Sequence, residues 1–190
     1  SASHNHPDDN GGKFYDQFGG QEVPPNDEVF STFVEAVEHI ETQDFESAQA
    51  HQKVRFMDHS EIHKGYIDLN VELSLHPEER ATEIVMTNLH GAGDTNAGDT
   101  LEAAGFSVTY VPEQRKHDGQ FPNVPFRIAN PEVPESMGMA VSLAKKRKAD
   151  IVFSTDPDAD RIGAMAPGPD GEFVFFTGNE LGALVTDQLF

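Results

Sequence analysis

The chain lacks cysteine altogether and has few basic residues for its 190-residue length. Without a thiol it can form no disulfide, use no thiolate nucleophile and build no thiolate zinc site. Its 13 Lys plus Arg face 33 Asp plus Glu, which gives a formal net charge of -20. A field of that sign argues against nucleic acid or an anionic membrane as a partner. An anionic substrate must therefore be bound by local cations and backbone amides.

Long apolar runs are absent as well. No stretch approaches the roughly 18 apolar residues of a membrane helix, and no signal-peptide pattern is present. We therefore expect a soluble protein with no membrane partner and a cytoplasmic location. The length is enough for one substantial domain or parts of two.

From Glu83 onward, apolar strand-like runs alternate with helical segments. This alternation predicts an α/β fold with a mixed, mainly parallel sheet covered by helices. In such sheets, ligands bind at the carboxyl ends of the strands. The predicted strands are 84–86, 106–111, 151–154 and 173–176, and the predicted helices are 95–104, 134–148 and 178–190. Earlier in the chain, 1–25 is predicted as loop and short strand, 41–59 as a linker, and helices are predicted from Asn26 and Ser60.

The run DPDADR places Asp156, Asp158 and Asp160 at every second position, directly before Arg161 and after a predicted buried strand. Carboxylates clustered without a cation would repel one another at neutral pH. A hard divalent ion such as Mg²⁺ prefers oxygen ligands and would remove that repulsion. Three alternating side chains can reach one ion only if the backbone curls at the loop.

Other interpretations of this run are an acidic surface turn, an EF-hand or an aspartate-nucleophile phosphatase. The EF-hand fails because position 6 counted from Asp156 is Arg161 rather than Gly, and position 12 is Pro167 rather than Glu. In the phosphatase pattern, a strand is followed by Asp-x-Asp, and the first Asp attacks phosphate beside Mg²⁺. That pattern stays open as an alternative, although it explains neither Asp160 nor Arg161.

The N-terminal run SASHNHPDDNGGK holds a second set of candidate residues. Ser3 in a loop can carry a phosphoryl group if a metal neutralises charge and a base manages protons. His4 or Lys13 could serve as that base, because the pKa of each responds to its surroundings. The alternative is a polar tail with no chemical role.

Together, SASHN, NGGK and DPDADR resemble the α-D-phosphohexomutase superfamily, the phosphoglucomutases and phosphomannomutases. That family carries a TASHNP phosphoserine loop, an NGYK segment and a DPDADR metal loop. The resemblance covers almost the whole chain and favours the phosphoglucomutase and phosphopentomutase branch. The other matching runs are LHGAG at 89–93, VPEQ at 111–114, DGQFPN at 118–123, NPE at 130–132 and TGNELGAL at 177–184.

The resemblance implies an enzyme that interconverts sugar 1-phosphate and sugar 6-phosphate, with glucose the expected sugar, through a bisphosphorylated sugar. Ser3 would carry the phosphate and, with Asp156, Asp158 and Asp160, bind Mg²⁺. Lys13 would transfer protons with His4 as helper, and Arg161 would pair with phosphate oxygens. By the same resemblance, His4 and Arg161 would contact the substrate.

The resemblance also implies a domain plan. Residues 1–55 would be the end of a first domain with the phosphoserine loop, 56–172 a second domain with the metal loop, and 173–190 the start of a third. A fragment of this kind is expected to have little mutase activity alone. We expect a sugar phosphate as partner, and a monomer.

Overall fold

The computed structural model describes residues 3–9 and 11–190, with the backbone only at residues 59 and 61. Ser1, Ala2 and Asn10, which belong to the N-terminal motifs, lie outside the described residues. The chain divides into two compact units. Of the described residues, the first unit contains 11–62, and the second contains 3–9 together with 63–190.

Two short helices lie entirely within the first unit. Helix α1 spans Asn26–Glu35 and therefore begins where the sequence predicts. Helix α2, Phe45–Ala50, lies in the predicted linker, and it begins after Asp44, whose side chain accepts a hydrogen bond from the Ser47 amide. Such an acceptor satisfies one of the free amides at a helix start, which explains why a weakly patterned segment is helical.

The second unit is built on a five-stranded sheet with the order β2-β1-β3-β4-β5. Its strands are β1 Glu83–Thr87, β2 Ser107–Tyr110, β3 Ile151–Thr155, β4 Ile162–Pro167 and β5 Phe173–Phe176. The helices that follow α1 and α2 are α3 His59–Glu72, α4 Ala97–Ala103, α5 Pro112–Arg115, α6 Gly138–Arg147 and α7 Gly178–Leu189. Among the residues that the structure describes, no helix has both the length and the apolar character needed to cross a membrane.

Strand pairing confirms the predicted α/β class with a mixed sheet. Strand β1 pairs in parallel with β2 and with β3, whereas β3 with β4 and β4 with β5 are antiparallel. The sequence-based prediction missed β4. The chain turns back immediately after the aspartate run, so that Thr155 faces Ile162 across the ladder. Parallel pairing thus occupies one half of the sheet and antiparallel pairing the other.

The hydrophobic core lies between the central strands and α6. Val85 of β1 and Val152 of β3 are fully buried, and they pack in one cluster with Ala140 and Ala144 of α6. Because alanine side chains are small, the helix can approach the sheet closely at these two positions. Each fully buried Val contributes roughly 1.5–3 kcal/mol relative to an exposed one. Strands β1 and β3 therefore form a firm base for the loops that leave them.

Candidate active site and metal centre

Three loops meet at one edge of the sheet because β1, β2 and β3 run parallel. They are the loop 88–96 after β1, the segment 111–118 after β2 and the aspartate loop, residues 156–161, after β3. The carboxyl ends of parallel strands are where open α/β sheets bind their ligands. The structure thus places the most acidic motif of the chain at the expected edge.

The aspartate loop curls as its alternating carboxylates require. The Ala159 amide donates a 3.0 Å hydrogen bond to the Asp156 carbonyl, and Ala159 has φ of 58°. A left-handed conformation costs a non-glycine residue about 1–2 kcal/mol, so the surrounding structure must hold it. The curl turns side chains that would alternate along a strand toward one centre.

The three aspartates can hold a cation. One oxygen from each of Asp156, Asp158 and Asp160 lies within 4.8 Å of the others. Oxygens on opposite sides of a Mg²⁺ ion, with bonds of about 2.1 Å, are about 4.2 Å apart. The all-oxygen donor set of this group suits a hard ion. The residues present fit a divalent cation.

Asp156 is the buried anchor of this group. Its side chain is fully buried, and the Arg161 amide donates a 3.0 Å hydrogen bond to Oδ1. The other oxygen, Oδ2, accepts a 2.7 Å hydrogen bond from Ser3 Oγ, which comes from 153 residues earlier in the chain. Ser3 is itself buried. The expectation that Ser3 and the aspartate loop lie close in space is therefore confirmed.

Burial raises the pKa of the Asp156 carboxyl above its ordinary value. The hydrogen bond from Ser3 lowers this pKa, the neighbouring Asp158 raises it, and the Arg161 amide lowers it. The net direction is upward, because an isolated charge is poorly solvated there. A buried carboxylate with both oxygens hydrogen-bonded is also a poor nucleophile, which disfavours the phosphatase alternative.

The remaining predicted site residues, His4, Lys13 and Arg161, lie in different parts of the structure. His4 is half-buried next to Ser3. The Arg161 side chain is partly exposed, with Nη1 3.5 Å from Glu132 Oε2 and Nε 4.0 Å from Asp160 Oδ1. Lys13 belongs to the first unit, where it lines a cavity of about 390 Å³ with Phe14 and Phe30. The catalytic roles of His4, Lys13 and Arg161 stay predictions.

The GAG turn after β1 packs against the aspartate loop, a contact that sequence reasoning missed. The Ala92 amide donates a 2.8 Å hydrogen bond to the Pro157 carbonyl. A Cβ placed on Gly91 would lie 2.1 Å from Pro157 Cα and 2.5 Å from its carbonyl oxygen. Glycine is thus required at position 91 by the close approach of two backbones. Two glycines in the loop that follows a buried strand were the available signal.

Gly91→Ala is expected to lower the free energy of unfolding by about 1–3 kcal/mol, because overpacking must displace the backbone of the aspartate loop. Urea denaturation of the 190-residue chain measures this loss. Gly119→Ala is the matched control, since its added Cβ would meet no described atom within 4 Å and Gly119 is exposed. Equal stability of the two variants would contradict the close approach.

The VPEQ and DGQFPN motifs are joined by hydrogen bonds that stabilise the loops. Gln114 of VPEQ is fully buried; its Oε1 accepts from Thr87 Oγ1 at 2.7 Å and its Nε2 donates to the Asn123 carbonyl at 2.9 Å. Asn123 belongs to DGQFPN, so one side chain joins two motifs to the end of β1. A buried amide that is satisfied in this way fixes the loops it connects.

Comparison with known proteins agrees with this architecture. Residues 64–168 match the family described as Phosphoglucomutase/phosphomannomutase, alpha/beta/alpha domain II. The chain is 32% identical over 189 residues to a phosphoglucomutase of Staphylococcus saprophyticus, and the match covers 97% of the chain. It is also 32% identical over 191 residues to a protein of Haemophilus influenzae named probable phosphomannomutase.

A solved structure shares the fold. The crystal structure of a proposed phosphomannomutase from Thermus thermophilus aligns with 70% of this chain and 29% of that chain, at a TM-score of 0.51 and 21% identity. The chain spans 34% of the length of the Staphylococcus saprophyticus protein and 38% of the Haemophilus influenzae protein. It is thus similar to about a third of each of these relatives.

Proposed function

Because this chain belongs to the phosphoglucomutase/phosphomannomutase family, we propose that it carries the phosphoryl-transfer and metal-binding parts of a phosphohexomutase. The reaction would interconvert sugar 1-phosphate and sugar 6-phosphate, with glucose as the preferred sugar. A mannose or pentose phosphate is the alternative within the family. The single observation that supports the proposal is the 2.7 Å contact of Ser3 Oγ with Asp156 Oδ2.

Ser3 would act as the phosphoryl carrier. In the first step, the bond between the phosphorus and Ser3 Oγ breaks while a bond from a sugar hydroxyl oxygen to the phosphorus forms, giving a sugar bisphosphate. The proton of that hydroxyl passes to Lys13 or His4. In the second step, the bond between the other phosphoryl group and its sugar oxygen breaks, and that phosphoryl group bonds to Ser3 Oγ. Lys13 or His4 then donates the proton to the sugar oxygen that has lost its phosphoryl group.

Arg161 would pair with the phosphoryl oxygens. Its planar guanidinium suits bidentate recognition of phosphate, and its side chain is partly exposed beside the aspartate loop. Glu132, 3.5 Å away, would orient the guanidinium until a phosphate replaces it. In a chain with a formal charge of -20, such a local cation is needed to hold an anionic substrate.

Asp156, Asp158 and Asp160 would hold Mg²⁺ together with an oxygen on Ser3. When bound, the ion supplies neutralisation of the negative charge on the transferred phosphoryl group. The buried Asp156 would fix the position of this set, since both of its oxygens are already held by hydrogen bonds. Ser3 and the metal-binding aspartates would thus share one centre.

The remaining assignments follow the family. The phosphoserine segment (1–55), the metal-loop domain (56–172) and the start of a further domain (173–190) stay a proposed division of the chain. We also propose a monomer located in the cytoplasm. Since the chain spans about a third of its relatives, complete mutase turnover is proposed for a longer protein, and little of it for these residues alone.

The test is phosphoryl uptake from glucose 1,6-bisphosphate in the presence of Mg²⁺. We expect the chain to gain one phosphoryl group, and peptide mapping by mass spectrometry to place it on Ser3. Phosphoserine survives hydroxylamine, whereas an acyl phosphate on Asp156 is cleaved by it. A hydroxylamine-labile phosphate would support the phosphatase alternative, and the absence of any uptake would count against the proposed carrier.

A further inference from the structure

Asp94 is a nearly buried carboxylate in the loop after β1, and the proposed chemistry does not use it. The residue is 8% exposed. Its Oδ1 lies 2.8 Å from His117 Nε2, and its Oδ2 lies 3.5 Å from Arg115 Nε. The distance between His117 Nε2 and the carboxylate oxygen is that of a hydrogen bond. One carboxylate thus binds two side chains of the segment after β2.

A second set of contacts joins the same two segments. Asn88 Nδ2 donates to the Gly91 carbonyl at 2.6 Å and to the Arg115 carbonyl at 3.1 Å, and it lies 3.4 Å from Asp94 Oδ1. The His90 amide donates to the Gln114 carbonyl at 2.8 Å. Asp94 therefore stands in a connected hydrogen-bond network, in which each member restricts the others.

The same loop is also in contact with the aspartate loop. Besides the Ala92 amide bond to the Pro157 carbonyl, a Cβ on Gly93 would lie 2.0 Å from Thr155 Oγ1. Residues 91–93 thus pack directly on residues 155–157, where the first proposed metal ligand stands. A displacement of the 88–96 loop must change the backbone that carries Asp156.

We propose that Asp94 is a positioning residue, which holds the 88–96 loop against the aspartate loop and thereby sets the cation affinity of Asp156, Asp158 and Asp160. Metal ligands must be held within about 0.5 Å of their productive geometry, and residues that support them contribute strongly to affinity. The inference rests on the proposed function for the metal-binding role of the aspartates. The positioning of the loop itself is independent of that role.

The test compares Asp94→Ala with Asp99→Ala in the 190-residue chain. Asp99 of α4 also holds a histidine at 2.8 Å, His63 of α3, so each variant removes one Asp–His pair. Titration calorimetry with Mg²⁺ at pH 8 is expected to show about 10-fold weaker binding for Asp94→Ala. Asp99→Ala is expected to stay within about twofold of the original chain, as for most substitutions outside special features.

Hydrogen exchange gives a readout that needs no metal. In the metal-free chain, the Ala92 amide of Asp94→Ala is expected to exchange at least about 10-fold faster. The Val85 amide in β1 keeps its rate, which shows that the fold is intact. Asp99→Ala should leave the Ala92 amide unchanged.

The outcomes separate the two proposals. Unchanged Ala92 exchange and unchanged Mg²⁺ affinity in a folded Asp94→Ala chain would overturn the positioning role. If the original chain binds no Mg²⁺, the metal assignment fails, while faster exchange at Ala92 would still support positioning of the loop. Should Asp94→Ala fail to fold, Asp94→Asn preserves the shape and is expected to change both quantities in the same direction.

Discussion

Replacing Ser3 by alanine is expected to abolish phosphoryl uptake from glucose 1,6-bisphosphate completely. Alanine has no side-chain oxygen to accept the phosphoryl group. Removal of the Oγ also leaves Asp156 Oδ2 without a 2.7 Å hydrogen bond. Loss of such a buried bond costs about 1–3 kcal/mol, so a moderate fall in stability accompanies the loss of uptake.

The same substitution makes a separate prediction about pH. Since the Ser3 hydrogen bond lowers the pKa of the buried Asp156 carboxyl, its removal raises that pKa further. Mg²⁺ needs the ionised carboxylate, so Ser3→Ala is expected to bind Mg²⁺ only at higher pH than the original chain. Mg²⁺ titrations across the acidic and neutral range measure this displacement.

Ser3→Thr is the matched control for both effects. Threonine keeps a hydroxyl, so we expect it to retain some phosphoryl uptake and the original pH dependence of Mg²⁺ binding. If Ser3→Ala took up phosphate as the original chain does, Ser3 could not be the carrier. A phosphate found on Asp156 in that variant would instead support the phosphatase alternative.

Asp156→Asn is expected to weaken Mg²⁺ binding by at least about 100-fold, the upper end of what residues around a metal contribute. Asparagine has nearly the same shape, and its amide oxygen can still accept the hydrogen bond from Ser3 or from the Arg161 amide. What it removes is the negative charge that the cation requires. Isothermal titration with Mg²⁺ measures the loss. Asp170→Asn, in an exposed turn of the same unit, is expected to leave the affinity unchanged.

In the absence of metal, the ionised Asp156 carboxylate is expected to lower the stability of the fold, whereas with Mg²⁺ the same charge binds the ion. Because the folded-state pKa of Asp156 is raised, the unfolded chain releases this proton at lower pH than the folded chain does. The metal-free chain therefore loses stability as pH rises from the ordinary carboxyl range through the raised pKa. Asp156→Asn carries no such proton, so in EDTA it should be at least as stable as the original chain at pH 8.

Thermal melts at pH 5 and pH 8, with EDTA or with Mg²⁺, separate the effect of the Asp156 charge on stability from the effect of the bound ion. Mg²⁺ should raise the melting temperature of the original chain at pH 8 more than at pH 5, and should have little effect on Asp156→Asn. A variant that is much less stable than the original chain in EDTA at pH 8 would show that the Asp156 charge is satisfied within the protein. That result would contradict a site built for a cation.

Several elements could be predicted because their signals are local. The strand at 173–176 has the predicted bounds, and β1 and β3 lie within one residue of the predicted ends, because each of these strands forms on a continuous apolar run. Helix α7 begins after Thr177, whose hydroxyl accepts from the Glu180 amide while the Glu180 carboxylate accepts from the Thr177 amide. Such a reciprocal cap is contained in four consecutive residues.

Strand β4 could not be predicted in the same way. Its residues, IGAMAP, form a short apolar run with little strand preference of their own. Its place is decided by the aspartate loop, which reverses the chain and brings Ile162 opposite Thr155. Gly163 suits this place because a Cβ there would lie 2.5 Å from the Pro131 carbonyl oxygen. Neither contact has a local sequence signature.

The sequence alone determined that three aspartates follow a buried strand and that they suit a hard cation. Charge and strand pattern can be read in this way because they are properties of neighbouring residues. The family resemblance implied that Ser3 lies near Asp156, and the tertiary structure shows the contact across 153 residues. Only the tertiary structure decided that Asp94 meets His117. Distant segments meet where parallel strands end at one edge and where glycines let backbones touch. These conditions depend on strand order and packing. They are therefore set by the whole fold of this unit.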